Sequence, residues 1–242
     1  MVDLAWSFAL HMAGLLAFAA LLRATGRRVA IGPLLVAVGA SAAYWAAEVL
    51  GLSAKHFVPG MSHLHWNWLG KVMAVVVSLA VVAMPPRMTR AEVGFTWRQK
   101  AGQFLPVLLL IAASCALAWT VHALGHEGPS LAPEQLLFQA TMPGLDEELF
   151  YRGVLLALLT RALGPGREVA RASFGAAEIA VTLLFAAAHG LLISHGAIAF
   201  DATSFIVTGL LGAGLMWLRN RTGSLVIPIL IHNLINFGEC FF

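Results

Sequence analysis

Eight apolar runs of about 16–22 residues, each near the length that crosses a hydrocarbon core as a helix, dominate this chain and leave it few ways to fold. In lipid a backbone N–H or C=O must find its partner within the protein, so runs of this kind predict membrane helices. They fall near Leu4–Leu22, Val29–Leu50, Leu69–Met84, Phe104–Ala123, from Leu145 to the basic loop that opens with Arg161, Ala176–Ile193, Ala202–Leu218 and from Leu225 to the C-terminus. Charged residues make up 11% of the chain against about 25% in soluble domains, and 60% of it is hydrophobic. The expected fold class is therefore all-α, a polytopic membrane bundle of about eight transmembrane helices forming one integral membrane domain over residues 1–242. Cys115 and Cys240 are too few and too far apart to suggest a disulfide framework or a metal knuckle.

The basic residues are distributed in a way that argues for topology rather than nucleic acid as the source of the net charge of +3. Placing the N-terminus outside puts Arg23, Arg27, Arg28, Arg87, Arg90, Arg98, Lys100, Arg161, Arg167, Arg171, Arg219 and Arg221 in the cytoplasm, twelve of the fifteen basic residues. Only Lys55 and Lys71 fall outside, and Arg152 lies within a span. By the positive-inside rule both termini are expected on the non-cytoplasmic side of a cell membrane. Asp3 ahead of the first run, and Arg23, Arg27 and Arg28 behind it, predict a retained span rather than a cleaved signal peptide. Pro85 and Pro86 close the third span, and Pro143-Gly144 is expected to break the chain before the fifth, leaving Asp146 to cap that span's first turn. Trp66 and Trp68 are assigned to the outer aromatic belt.

The stretch Asp146-Glu147-Glu148-Leu149-Phe150-Tyr151-Arg152 heads the most demanding of these runs, because charge inside a membrane segment requires a reason. On a helix Glu148 and Arg152 are four apart and share a face, whereas Glu147 is rotated by about 100°. The pattern suggests that Arg152 holds Glu148 and that Glu147 is left for chemistry; a structural ion pair at a helix end is the other reading. Two later spans carry their own polar residues. Phe185 and His189 lie one turn apart, as do His232 and Asn236. A lone polar residue can simply tie two helices together. Glu147, His189, His232 and Asn236, on three helices, have a common use in binding and activating a water.

In that order, Glu147-Glu148-x-x-x-Arg152, Phe185-x-x-x-His189 and His232-x-x-x-Asn236 resemble the three motifs of the CAAX protease and bacteriocin-processing family of intramembrane proteases, which includes the Ras-converting CAAX endopeptidase. The motifs occupy the second half of the chain, 143–242, and none departs from the family pattern. The resemblance implies an intramembrane endopeptidase in which Glu147 is the base, His189 shares the water, and His232 and Asn236 stabilise the oxyanion. Glu148, Arg152 and Phe185 would support them, and no cofactor is implied. An amide NH2 such as that of Asn236 suits oxyanion stabilisation on chemical grounds alone. Glu147, His189 and His232 also form a possible zinc ligand set, although the chain has no HExxH. A non-catalytic scaffold or bacteriocin-immunity protein of the same fold is a further reading. So is a proton-coupled transporter, which would more often show inverted repeats.

The expected partners are the bilayer and a membrane-associated protein or peptide, with no nucleic acid. Helical rise puts Glu147 about 21 Å from the cytoplasmic edge and His189 about 20 Å, with His232 shallower, so a site opening away from the cytoplasm is expected. Such a site suits a translocated substrate with a C-terminal anchor or sorting signal. The abundance of Arg, Ala, Gly and Leu points to a GC-rich bacterial genome. His56, His63 and His65 are expected to be solvated rather than to bind metal, and His11, Glu48 and His195 to be interfacial or helix-bonding. Glu48 should lie at the membrane level of Glu147. Glu178 is read as an ordinary helix-start acid.

Overall fold

Each apolar run closes its own backbone hydrogen bonds as a helix, and the computed structural model describes residues 2–85, 87–99, 104–125, 128–169 and 171–242. Pro86 and Lys100 lie outside the described residues. In chain order the helices are α1 (Val2–Ala24), α2 (Ile31–Ala54), α3 (Trp68–Ala83), the short α4 (Arg90–Val93), α5 (Phe104–Gly125) and α6 (Pro133–Glu147). A π-helical segment, Glu148–Leu155, joins α6 to α7 (Leu156–Leu163). Then come the strands β1 (Arg167–Val169) and β2 (Ala172–Phe174), α8 (Ala176–Gly190), β3 (Leu191–Ser194), β4 (Ala197–Phe200), α9 (Ala202–Thr222) and α10 (Val226–Glu239). By length and composition α1, α2, α5 and α9 can each cross a membrane, and α3, α8 and α10 are shorter apolar helices. Large apolar side chains such as Leu16, Leu21, Leu105, Leu109 and Leu210 face outward, the surface a bilayer covers. The chain is a polytopic membrane helical bundle.

The rod formed by α6, the π segment and α7 runs through the middle of the bundle. From Glu148 to Leu159 every residue but Tyr151 is buried, as expected of a helix with no face reserved for lipid or water. Pro143-Gly144 does not break this rod: both residues lie inside α6, and Asp146 sits in its last turn instead of capping a first one. The reason lies on α10. Asn233 Oδ1 accepts the Gly144 N–H at 2.7 Å, and Asn233 Nδ2 donates to Thr141 O at 3.2 Å, so backbone groups near the proline find partners on the neighbouring helix. Gly144 makes this approach possible, since a Cβ there would lie 2.5 Å from Ile229 O. A second close approach joins α2 to α3, where a Cβ on Gly51 would lie 2.2 Å from Gly70 Cα. Small residues at a membrane helix interface let two backbones meet in this way, and here they bring Glu48 and Lys71 to one level.

Two hairpins replace segments expected to be loop or helix. β1 pairs with β2 between α7 and α8. The sixth span, expected to continue to Ile193, ends at Gly190, and β3 turns back on β4 in the register Ser194↔Ala197. The two-residue turn has His195 at φ 52° and Gly196 at φ 76°, the left-handed pair that a type I′ turn requires. This hairpin is fastened to α1: the His195 and Gly196 amides donate to the Asp3 carboxylate at 2.9 and 3.3 Å, and the Ile193 amide donates to Ser7 Oγ at 2.7 Å.

At the opposite end Arg161 of α7 pairs with Glu92 of α4 at 2.8 Å. The hydrogen bond from Arg161 lowers the Glu92 carboxyl to about 2, so this clasp holds above the ordinary carboxylate range and is lost only as pH falls toward 2. Helix α10 begins inside the protein, because Ser224 Oγ donates to Thr96 O at 2.5 Å and the Leu225 amide to Gly94 O at 3.1 Å. His232 is therefore level with Glu148, not shallower as a residue count from Leu225 suggests. Glu178 lies in the first turn of α8, as expected of a helix-start acid, and it is 3% exposed and accepts from Ser173 Oγ and Asn220 Nδ2.

Candidate active site

The two adjacent glutamates face different neighbours, as the helical period dictates. Glu148 and Arg152 are both fully buried, and Arg152 Nη1 donates to Glu148 Oε1 at 3.0 Å. The rest of the guanidinium is shared between Gly212 O at 3.2 Å and the Phe185 ring, whose centroid lies 4.0 Å from Cζ. Phe185 also stands edge-on to His232 at 6.0 Å and tilts against His189 at 4.8 Å, so one ring packs the arginine and both imidazoles. A cation against an aromatic face is well placed in a dry interior.

Glu147 turns toward α3, α8 and α10. Its Oε1 accepts from Lys71 Nζ at 2.9 Å, so it is not free at both oxygens. Its Oε2 is buried with no hydrogen-bond partner and lies 4.0 Å from His189 Nε2 and 3.9 Å from His232 Nε2. The hydrogen-bond partners assign both rings. His189 Nδ1 lies 2.8 Å from Phe185 O, a carbonyl that only accepts, so Nδ1 carries the proton and neutral His189 presents the lone pair of Nε2 to Glu147. His232 Nδ1 lies 2.8 Å from Glu148 Oε1, an acceptor already paired with Arg152, so Nδ1 again is the donor. His232 thus lies between the two glutamates, hydrogen-bonded to Glu148 through Nδ1 and facing Glu147 with Nε2. The His189 side chain is 41% exposed, and those of His232 and Glu147 are 9% and 14% exposed, so the cluster opens to its surroundings on the His189 side.

Asn236 is the predicted site residue that these contacts do not tie to Glu147. One turn beyond His232 on α10, it donates from Nδ2 to Gln139 Oε1 of α6 at 3.4 Å. Other groups join the cluster that the motifs did not single out. Lys71 also reaches Asp146 Oδ2 at 2.9 Å and Glu48 Oε1 at 3.2 Å, and Tyr44 donates to Asp146 Oδ2 at 2.8 Å. Glu48 lies at the level of Glu147, as expected. Lys71 could not be distinguished from a loop charge, whereas Glu48 was visible as an acid inside a span.

Among the described residues no group of three His, Cys, Asp or Glu is arranged to hold a metal ion, the loop histidines His56, His63 and His65 included. Trp66 and Trp68 pack on Phe138 of α6, with ring centroids at 5.0 and 5.1 Å.

No curated protein and no solved structure matches the chain. Residues 129–238, which contain Glu147, Glu148, Arg152, Phe185, His189, His232 and Asn236, match the family profile described as type II CAAX prenyl endopeptidase Rce1-like. That segment, with its three motifs around one buried carboxylate, is similar to the Rce1-like type II CAAX prenyl endopeptidase family.

Proposed function

We propose that this chain is an intramembrane endopeptidase that cleaves a membrane-associated protein by direct attack of water, without a metal. The observation that carries the reading is the convergence of His189 Nε2 and His232 Nε2 on one oxygen of Glu147, at 4.0 and 3.9 Å. Water held between Glu147 Oε2 and His189 Nε2 gives a proton to Glu147 as its oxygen attacks the scissile carbonyl carbon. Charge gathers on the carbonyl oxygen. The Nδ1 proton of His232 is committed to Glu148, so His232 reaches that oxygen from Nε2 as the imidazolium, flanked by Glu148 and Glu147. Asn236 supplies a neutral N–H. The tetrahedral intermediate collapses when Glu147 returns the proton to the leaving nitrogen, and the C–N bond breaks. Glu148, Arg152 and Phe185 hold this arrangement.

A metal-independent route is supported by Lys71, since an ammonium 2.9 Å from Glu147 disfavours a dication on the same carboxylate. The spacing agrees. Zinc bonds of about 2.0–2.2 Å bring ligand atoms nearer to one another than the 3.9 and 4.0 Å found here.

The family's description names prenylated CAAX proteins, and the loop charges favour a translocated, C-terminally anchored protein. Purified protein in liposomes, given a farnesylated CAAX peptide in one arm and a C-terminal anchor peptide in the other, tests both by mass spectrometry of the products. Cleavage in at least one arm, unchanged after dialysis against a zinc chelator, is expected. Chelator-sensitive cleavage would overturn the metal-free route, and intact peptides in both arms would favour a scaffold.

We further propose that both termini and the His195-Gly196 turn face away from the cytoplasm in a bacterial cell membrane, on the strength of the twelve-to-two loop charge bias. A cysteine placed at His195 in a Cys115→Ala, Cys240→Ala background should react with an impermeant maleimide in whole cells. Reaction only after lysis would reverse the orientation.

A further inference from the structure

Lys71 directs its ammonium group at three carboxylates on two other helices: Glu48 of α2 at 3.2 Å, and Asp146 and Glu147 of α6, both at 2.9 Å. Each of these acids is itself anchored or placed. Glu48 Oε2 accepts from Asn67 Nδ2 at 2.9 Å, and Asn67 caps α3 by accepting the Gly70 amide at 3.1 Å. Asp146 is fully buried and takes the Tyr44 hydroxyl on the oxygen that faces Lys71. The close contact of Gly51 with Gly70 fixes α3 against α2 at this level. The ammonium is thus held by α2 and α6 together, and it cannot leave Glu147 without separating from two further carboxyl groups.

The charge pattern has a chemical consequence. Among the described residues Glu48, Asp146, Glu147 and Glu148 face two permanent cations, Lys71 and Arg152, and Arg152 is committed to Glu148. Among the described residues Lys71 is the permanent cation that contacts the other three. A carboxylate surrounded by apolar groups and other acids tends to take up a proton, and a protonated Glu147 could not accept one from water. The other groups that face Glu147 are His189 from α8, His232 from α10, Tyr44 from α2 and Tyr151 from the π segment. Among them only the histidines can become cationic, but the hydrolysis above needs the lone pair of His189 and directs His232 to the carbonyl oxygen of the substrate. The constant positive charge therefore has to come from Lys71.

We propose that Lys71 is a positioning residue for the hydrolysis: it fixes Oε1 of Glu147 as a permanent counter-cation, turns Oε2 toward the two imidazoles, and has its strength set by Glu48. The role assigned to Glu147 rests on the peptidase reading, but the charge relation can be measured without substrate. Infrared titration of the detergent-purified protein, with Glu147→Gln used to assign the Glu147 carboxyl band, reports its protonation directly, and the acid limb of peptide cleavage reports it kinetically. Lys71→Met should move both to higher pH by about one unit or more. Glu48→Gln keeps the lysine and removes a competing anion, so it should move both to lower pH, and Lys71→Arg should stay close to wild type. Opposite shifts are not expected of residues that merely pack helices. The proposal is overturned if Lys71→Met and Glu48→Gln leave the titration where it was or shift it in the same direction. If Lys71→Met does not fold, the direction of the Glu48→Gln shift decides. Failure of every variant, wild type included, to cleave peptide would count against the peptidase reading and leave the infrared result standing.

Discussion

Glu147→Gln is expected to lower the rate of peptide cleavage by about 10²–10⁴-fold, the range spanned by general acid–base catalysis, while the purified protein keeps its helix content and thermal transition. Glutamine is nearly isosteric and can still accept from Lys71, which retains Asp146 and Glu48 as partners. It cannot take a proton from water at Oε2's position, where the two imidazoles converge. Loss of rate with the fold unchanged separates the peptidase from a scaffold, in which the amide would be tolerated. Cleavage within a few-fold of wild type would remove Glu147 from the chemistry.

Arg152→Met is expected to destabilise the protein by about 3–5 kcal/mol, because it strands a buried carboxylate. Arg152 and Glu148 are both fully buried, and the guanidinium also fills the space between Gly212 and the Phe185 ring. Methionine keeps much of the volume and none of the charge. Combining it with Glu148→Gln should recover most of the stability, since no ion is then left unpaired, but not the activity, since His232 Nδ1 loses its anionic acceptor. Thermal unfolding in detergent measures both. A single variant as stable as wild type would show that the pair does not hold the site.

Much of this architecture could be read from the residues. The apolar runs gave the helices to within a few residues at most ends, and the i,i+4 spacing gave the Glu148–Arg152 pair and the rotation of Glu147 away from it. The omissions have physical causes. Leu191-Leu192-Ile193 continues the apolar run of α8, so it reads as more helix; the left-handed His195-Gly196 pair is the signal that the chain reverses into a hairpin. Pro143-Gly144 looks like a break until Asn233, on another helix, is known to receive the Gly144 amide. Lys71 was hidden for a similar reason. A cation at the head of an apolar run beside two tryptophans is what an interfacial anchor looks like, and its acidic partners Asp146 and Glu147 are 75 and 76 residues away in sequence. Local patterns disclose faces of helices, and the meeting of faces from distant helices emerges only on folding.

The account depends on α6, α8 and α10 bringing Glu147, His189 and His232 to one point. Cysteine pairs Glu147→Cys with His189→Cys, and Glu147→Cys with His232→Cys, placed in a Cys115→Ala, Cys240→Ala background and treated in membranes with a short bis-thiosulfonate, test that directly. The predicted result is a bridged peptide from each pair, identified by mass. Single cysteines that react with a maleimide while neither pair is bridged would contradict it.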